Sequence, residues 1–183
     1  ARGVEHGDTV ERAGRIVAHG TTRAGQRLSG AVFRHCFLAV IHSADMEYVD
    51  AGGPRIPKIG LGTWQNEGRA CVDAVRTALD LGYRHVDTAQ MYQNEAAVGR
   101  AIDAADVPRE ELFLTTKVWR SNLRHDDVID SVESSLADLG VDYLDLLLIH
   151  WPHPRIPVEE TLTAMTELRE AGKVRHLGVS NFT

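Results

Sequence analysis

Four ionisable side chains stand at or near the ends of three successive predicted strands. Asp87 and Tyr92 occur in HVDTAQMY, Lys117 in FLTTKVW and His150 in LLLIHWP. The carboxyl ends of parallel strands meet on one face of an α/β sheet, so residues that are distant in sequence converge there. A carboxylate, a phenol, an ammonium and an imidazole together form a tunable proton donor. The pattern therefore predicts an enzyme that moves protons and favours a reductase.

Reduction of a carbonyl requires hydride at carbon and a proton at oxygen. A free tyrosine has a pKa of about 10 and gives up its proton reluctantly near neutral pH. A nearby cation stabilises the phenolate, and Lys117 has the compact ammonium that suits this role. Asp87 is expected to pair with Lys117 and keep it charged, and His150 could donate a hydrogen bond to the substrate oxygen.

The elements that must position these residues follow from hydrophobic periodicity and from glycines that end helices. From Met46 onward a hairpin-like stretch is followed by alternating strands and helices. The fourth helix is expected to bury Val158, Leu162, Met165 and Leu168. The predicted strands are 58–61, 83–86, 112–116, 143–149 and 174–179, and the helices lie between them, the second at about 95–105 and the third ending at Gly140.

Five such strand and helix units predict an α/β fold with a parallel sheet. A dinucleotide-binding sheet is disfavoured because GLGTWQNEG lacks the GxGxxG spacing. A (β/α)8 barrel needs about 200 residues or more, whereas 138 residues (46–183) follow the first 45. The sequence therefore predicts an incomplete (β/α)8 TIM barrel with about five β–α units, and a chain that is a fragment.

Residues 1–45 show no sustained periodicity and contain scattered Gly, Arg and His. We expect an irregular or disordered extension, possibly non-native upstream sequence, with Met46 as the natural first residue. A basic arm that regulates or binds a partner is the alternative. Residues 46–183 form the second predicted unit.

Composition excludes several classes of protein. The net charge of −6 argues against nucleic acid as a partner, and no apolar run approaches the length of a membrane span. Cys36 and Cys71 give neither a disulfide framework nor a metal site, and a cytoplasmic location is expected. His150 and His153 in HWPH have no third ligand at suitable spacing, so no metal is predicted.

Six stretches in series resemble the aldo-keto reductase family. They are IGLGTW (59–64), YRHVDTAQMY (83–92), NEAAVGRAI (94–102), LFLTTKVW (112–119), DYLDLLLIHWP (142–152) and VRHLGVSNF (174–182). The resemblance implies NADPH-dependent reduction of an aldehyde or ketone to an alcohol, with NADP preferred over NAD. It also implies that Tyr92 is the general acid and that Lys117, Asp87 and His150 complete a catalytic tetrad.

The same resemblance assigns the surrounding residues. It implies that the cofactor is held by Gly62, Thr63, Asp87, Ser180 and Asn181, the last two through the nicotinamide amide. It implies that Trp64, Trp119 and Trp151 line the substrate pocket, which would favour an apolar or aromatic small-molecule carbonyl substrate. A helix N-cap is the alternative role for Ser180 or Asn181.

Two classes of function remain open at this stage. The first is a reductase, and the second is a non-catalytic binding or regulatory half-barrel of the same family. The intact set of four side chains favours the reductase. Because the family's strands six to eight are not in this sequence, we expect the chain alone to bind NADPH weakly and to reduce little.

Overall fold

The computed structural model describes residues 46–182. The irregular extension predicted for residues 1–45 lies outside the described residues. Within 46–182 the chain alternates between strands and helices, and three short 3₁₀ turns connect them.

A short antiparallel hairpin opens the described part of the chain. Strand β1 (Tyr48–Asp50) pairs with β2 (Arg55–Pro57), and the turn contains Gly52 with φ of 77°. One further hydrogen bond extends the hairpin by a residue on each strand: the backbone N–H of Lys58 donates to the carbonyl of Glu47 at 2.8 Å. Lys58 therefore belongs to the hairpin rather than to the first strand of the main sheet.

The main sheet contains five parallel strands in sequence order. They are β3 (Leu61–Gly62), β4 (His85–Asp87), β5 (Phe113–Val118), β6 (Leu144–Ile149) and β7 (Val174–Val179). The predicted strand 58–61 is thus wrong in its bounds: pairing with β4 begins only at Leu61, opposite Val86. The last predicted strand, 174–179, is confirmed.

Four helices pack against this sheet, one after each of its first four strands. They are α1 (Gly68–Asp80), α2 (Glu95–Asp103), α3 (His125–Leu139) and α4 (Val158–Glu170). Each buries one apolar face on the strands, as the periodicity predicts. The largest fully buried side chains include Leu79, Leu114, Leu139, Leu147 and Met165.

The buried face of α4 differs from the sequence prediction. Thr161, Ala164, Met165 and Leu168 are buried, at the spacing of a single helical face. Leu162 lies one residue away from this face and is 37% exposed, so its predicted burial is wrong. The buried residue at this level of the helix is the small polar Thr161, whose hydroxyl donates to the carbonyl of Leu123 at 2.6 Å.

Two glycines fix the path between α2, α3 and β6. Gly140 adopts φ of 64° directly after α3, which confirms the predicted end of that helix. Gly99 lies where α2 approaches α3, and a Cβ at this position would stand 2.6 Å from the carbonyl oxygen of Asp138. The two helices therefore touch through a residue without a side chain.

Over residues 46–182, the helices are all too short or too polar to cross a membrane.

Candidate active site

Lys117 projects from within a strand rather than from the loop that follows it. The sequence predicts a strand ending at residue 116, but β5 continues to Val118. Successive side chains of a strand point to opposite faces, so Lys117 and Thr116 serve different sides of the sheet. This placement restricts the ammonium group, and Lys117 is only 7% exposed.

The ammonium of Lys117 contacts both of the partners expected for it. Its Nζ donates to Oδ1 of Asp87 at 2.5 Å and to the backbone carbonyl of Thr88 at 2.9 Å. It also lies 3.4 Å from the hydroxyl of Tyr92. Asp87 ends β4 and Tyr92 ends the 3₁₀ turn Gln90–Tyr92. The structure thus brings carboxylate, ammonium and phenol into one hydrogen-bonded group.

Aromatic rings extend this group on both sides of the phenol. The centroid of the Trp64 ring lies 4.8 Å from that of the Tyr92 ring. The His150 ring packs edge-to-face against Tyr92, with 5.7 Å between the ring centroids. Trp119 packs edge-on to His150 at 5.3 Å. Among the described residues Trp151 makes no ring pair, and it is 45% exposed. Two of the three predicted tryptophans therefore stand beside the phenol and imidazole.

His150 follows β6 and is held mainly through its backbone. Its N–H donates to the carbonyl of Val118 at 3.1 Å, and its carbonyl accepts from Nδ2 of Asn181 at 2.7 Å. Burial, and secondarily the charge of Lys117, lowers the pKa of His150 below its usual 6.5. The ring is therefore neutral near pH 7. Its Nδ1 is buried without a hydrogen-bond partner among residues 46–182.

Ser180 and Asn181 directly follow β7 and lie at the edge of the site next to His150. The backbone N–H of Ser180 donates to the carbonyl of Ile149 at 2.9 Å. Nδ2 of Asn181 donates to Oγ of Ser180 at 3.0 Å as well as to His150. Asn181 is exposed, and within the described residues its Oδ1 accepts no hydrogen bond. The amide oxygen of Asn181 is thus available as a hydrogen-bond acceptor at the carboxyl ends of the strands.

On the opposite side of the site, Gly62 ends β3 and Thr63 follows it. Gly62 is exposed and has open space where a side chain would be. Thr63 is fully buried, and both its N–H and its hydroxyl donate to the carbonyl of Asp87, at 3.0 and 3.3 Å. In this structure the Thr63 hydroxyl therefore holds the backbone of Asp87. Its contact with a cofactor stays a prediction.

Asn94 is a site residue that the sequence reasoning missed. It is 3% exposed and accepts from the Thr88 hydroxyl at 2.9 Å. Its Nδ2 donates to the carbonyls of Thr63 and Asn66 at 2.8 and 2.9 Å. It thereby ties the β3 loop to the segment carrying Tyr92. An asparagine directly before a helix resembles an ordinary N-cap, so its position in sequence hid this role.

Three non-glycine residues with positive φ occur in residues 46–182, and all three lie at this face. Gln65 follows Trp64, Gln93 follows Tyr92, and Asn181 follows Ser180, with φ of 63°, 55° and 62°. Left-handed backbone at residues other than glycine costs free energy and clusters at functional sites. Each one immediately follows a predicted site residue.

Comparison with known proteins identifies the family. The sequence profile of the Aldo/keto reductase family matches residues 58–183, which is most of the chain. The chain belongs to this family, as the six stretches predicted. Its sheet and helices correspond to part of the family's (β/α)8 barrel, which confirms the predicted fold class.

Individual relatives agree with this assignment. The chain is 52% identical over 130 residues to methylglyoxal reductase DkgB of Salmonella typhi, covering 70% of this chain and 49% of DkgB. It matches an aldo/keto reductase structure from Brucella melitensis with a TM-score of 0.71 and 42% identity, covering 75% and 55% of the two chains. A Bombyx mori aldo-keto reductase in complex with NADP matches with a TM-score of 0.68 and 37% identity, covering 75% and 50%. The chain spans about half the length of the curated relatives it matches.

Proposed function

We propose that the protein carrying this chain reduces a small aldehyde or ketone to an alcohol, with Tyr92 as the proton donor. The observation that carries the proposal is the contact of one buried ammonium with both Asp87, at 2.5 Å, and the Tyr92 hydroxyl, at 3.4 Å. A phenol beside a fixed cation can release its proton, because the negative charge that remains is stabilised.

The proposed reaction uses each of the four side chains in a separate role. NADPH, when bound, would supply the hydride for the carbonyl carbon. Tyr92 transfers its hydroxyl proton to the carbonyl oxygen, and Lys117 stabilises the tyrosinate that is left. Asp87 holds the ammonium in place and balances its charge. His150, neutral near pH 7, donates a hydrogen bond that orients the carbonyl oxygen.

The residues at the ends of β7 and β3 fit a nicotinamide. The Oδ1 of Asn181, which accepts no hydrogen bond from residues 46–182, suits the amide N–H groups of a carboxamide, and Ser180 supplies a hydroxyl beside it. Gly62 leaves open space next to Asp87, where a flat ring could approach the backbone. We therefore propose Gly62, Thr63, Asp87, Ser180 and Asn181 as the cofactor contacts. NADP rather than NAD is favoured by the family resemblance and by the NADP complex of the Bombyx mori relative.

The aromatic rings beside Tyr92 bear on the substrate. Trp64 and Trp119 flank the phenol and the imidazole, and Trp151 follows His150 with nearly half of its surface exposed. Such walls favour a carbonyl compound with an apolar or aromatic substituent. Methylglyoxal, the substrate in the name of the Salmonella typhi relative, is a suitable first compound to assay.

Substitution Tyr92→Phe tests the proposal directly. It removes the proton donor and keeps the ring that packs on Trp64. We expect kcat for methylglyoxal reduction with NADPH to fall by about 10² to 10⁴-fold, the usual contribution of a general acid. Steady-state kinetics on the purified protein that carries this chain measure this effect.

Tyr143→Phe is the matched control. The Tyr143 hydroxyl is buried without a partner among the described residues, and its ring stacks between Arg109 and Arg175, away from the site. This variant should retain the wild-type rate. If Tyr92→Phe also retains it, the proposed proton transfer is wrong. A wild-type protein without reductase activity would instead favour the non-catalytic half-barrel.

A further inference from the structure

We infer that Glu95 is a positioning residue that holds the turn carrying Tyr92 against the strand carrying Lys117. The residue is the first of α2, three positions after Tyr92, and it is 7% exposed. It contacts neither Tyr92 nor Lys117 directly. One of its carboxyl oxygens bonds Thr116, next to Lys117, and the other bonds Ser135, which in turn bonds Gln90 in the Tyr92 turn.

One carboxyl oxygen is bonded to the lysine-bearing strand. Oε1 of Glu95 accepts from the hydroxyl of Thr116 at 2.5 Å, and Thr116 is fully buried. Thr116 immediately precedes Lys117, so their side chains leave β5 on opposite faces. Glu95 therefore holds β5 through a contact on the face of the sheet opposite to the Lys117 ammonium.

The other carboxyl oxygen is bonded, through Ser135, to the tyrosine-bearing turn. Oε2 of Glu95 lies 3.1 Å from Oγ of Ser135 on α3, which accepts from Nε2 of Gln90 at 3.3 Å. Gln90 begins the 3₁₀ turn that ends at Tyr92. Oε1 of Gln90 in turn accepts from the backbone N–H of Trp119 at 3.0 Å. The chain of bonds thus joins the Tyr92 turn to the Trp119 backbone.

The burial of Glu95 makes its two hydrogen bonds important for the stability of this region. Burial raises the pKa of Glu95 above its usual 4.5, the hydrogen bonds from Thr116 and Ser135 oppose that rise, and the nearby Asp138 adds to it. Glu95 has no salt-bridge partner within the part of the chain that the structure describes. Burying such a carboxyl group costs free energy, and the two hydroxyls offset part of that cost. The Lys117 to Tyr92 distance of 3.4 Å is at the outer limit of a hydrogen bond, so a small shift of either segment would break it.

Glu95→Ala and Glu95→Gln separate hydrogen bonding from simple burial. Alanine leaves the Thr116 hydroxyl without its acceptor and removes the link between residue 95 and Ser135. Glutamine can accept from Thr116 through its oxygen and donate to Ser135 through its nitrogen, while Ser135 donates to the carbonyl of Ser131, 3.0 Å away. We expect Glu95→Ala to lower kcat by about ten- to a hundred-fold with KM changed less than about threefold, the effect of a misplaced catalytic group. Glu95→Gln should retain most of the rate.

Asp145→Asn is the matched control for stability. Asp145 is also a buried carboxylate, paired with Arg109 at 2.7 Å and Arg175 at 3.1 Å. It lies five residues before His150, about 16 Å along an extended strand from the site. The control should lose stability without losing kcat per folded molecule. The inference is overturned if Asp145→Asn lowers kcat as much as Glu95→Ala, or if Glu95→Gln is as impaired as Glu95→Ala.

Amide hydrogen exchange in the 183-residue chain gives a readout that does not depend on catalysis. In Glu95→Ala the Trp119 amide, bonded to Gln90, should exchange roughly tenfold faster, whereas the Leu144 amide, bonded to the carbonyl of Lys173 at the far end of β6, should not change. An unchanged Trp119 amide would overturn the inference. The kinetic comparison rests on the proposed function: a wild-type protein without reductase activity would refute that function, and the exchange rate would still decide the role of Glu95.

Discussion

At the scale of single residues, the site depends on how polar groups are shared between two faces of one strand. Lys117 gives its three donor contacts to Asp87, Thr88 and Tyr92. Thr116, its neighbour, gives its hydroxyl to Glu95 on the opposite face. The alternation of a β-strand therefore separates the groups proposed to react from the groups that hold the backbone.

The pH dependence of the free energy of unfolding should reveal the raised pKa of the buried Glu95. Because its folded pKa is raised above 4.5, the folded protein retains a proton that the unfolded chain has released. The free energy of unfolding then falls as the pH rises from 4.5 through the folded pKa. Glu95→Gln does not titrate and should lose this decrease. Urea denaturation of both proteins from about pH 4 to about pH 8 measures the difference. A variant whose stability relative to wild type does not increase with pH would contradict this account of Glu95.

At the scale of elements, α2 and α3 approach each other closely behind the candidate site. A Cβ on Gly99 would lie 2.6 Å from the carbonyl oxygen of Asp138 and 2.7 Å from that of Leu139. These are backbone atoms and cannot move aside as a flexible side chain would. The same pair of helices contributes Glu95 and Ser135 to the network behind the site.

Gly99→Ala should therefore destabilise the fold despite the higher helix propensity of alanine. We expect the free energy of unfolding to fall by about 1–3 kcal/mol, the usual cost of overpacking. Chemical denaturation measures it. Arg100→Ala, an exposed substitution one residue further along α2, should change stability by no more than about 0.5 kcal/mol. An increase in stability for Gly99→Ala would show that the helices separate easily.

The sequence predicted the elements better than their exact ends. Glycine at position 140 and the apolar run of β6 gave clear signals, and both features are present. The start of the sheet was misplaced because Lys58 continues the hairpin, and a strand of only two residues carries little hydrophobic pattern. Leu162 was assigned to the core because periodicity alone cannot tell that a threonine fills the adjacent buried position.

At the scale of the whole molecule, the candidate site is built from the ends of strands, and from the turns that follow them, at one end of a parallel sheet. Residues from β3, β4, β5, β6 and β7 all contribute to it. That the four ionisable residues lie close together could be predicted from sequence because each stands at or near the end of a strand, whereas their catalytic roles stay a prediction. The polar support could not, because Asn94 and Glu95 at the start of a helix resemble routine capping residues, and only the fold brings Thr116, Ser135 and Gln90 to them.

The central claim is that Tyr92 and Lys117 act as one proton-donating unit, and a double-mutant cycle tests it most directly. Lys117→Met removes the charge and keeps much of the length of the side chain. If the two residues form a unit, the double variant Tyr92→Phe, Lys117→Met should have nearly the same kcat/KM as Tyr92→Phe alone, because the cation has no phenolate left to stabilise. If the two losses multiply instead, the residues act independently and the proposed proton delivery is wrong.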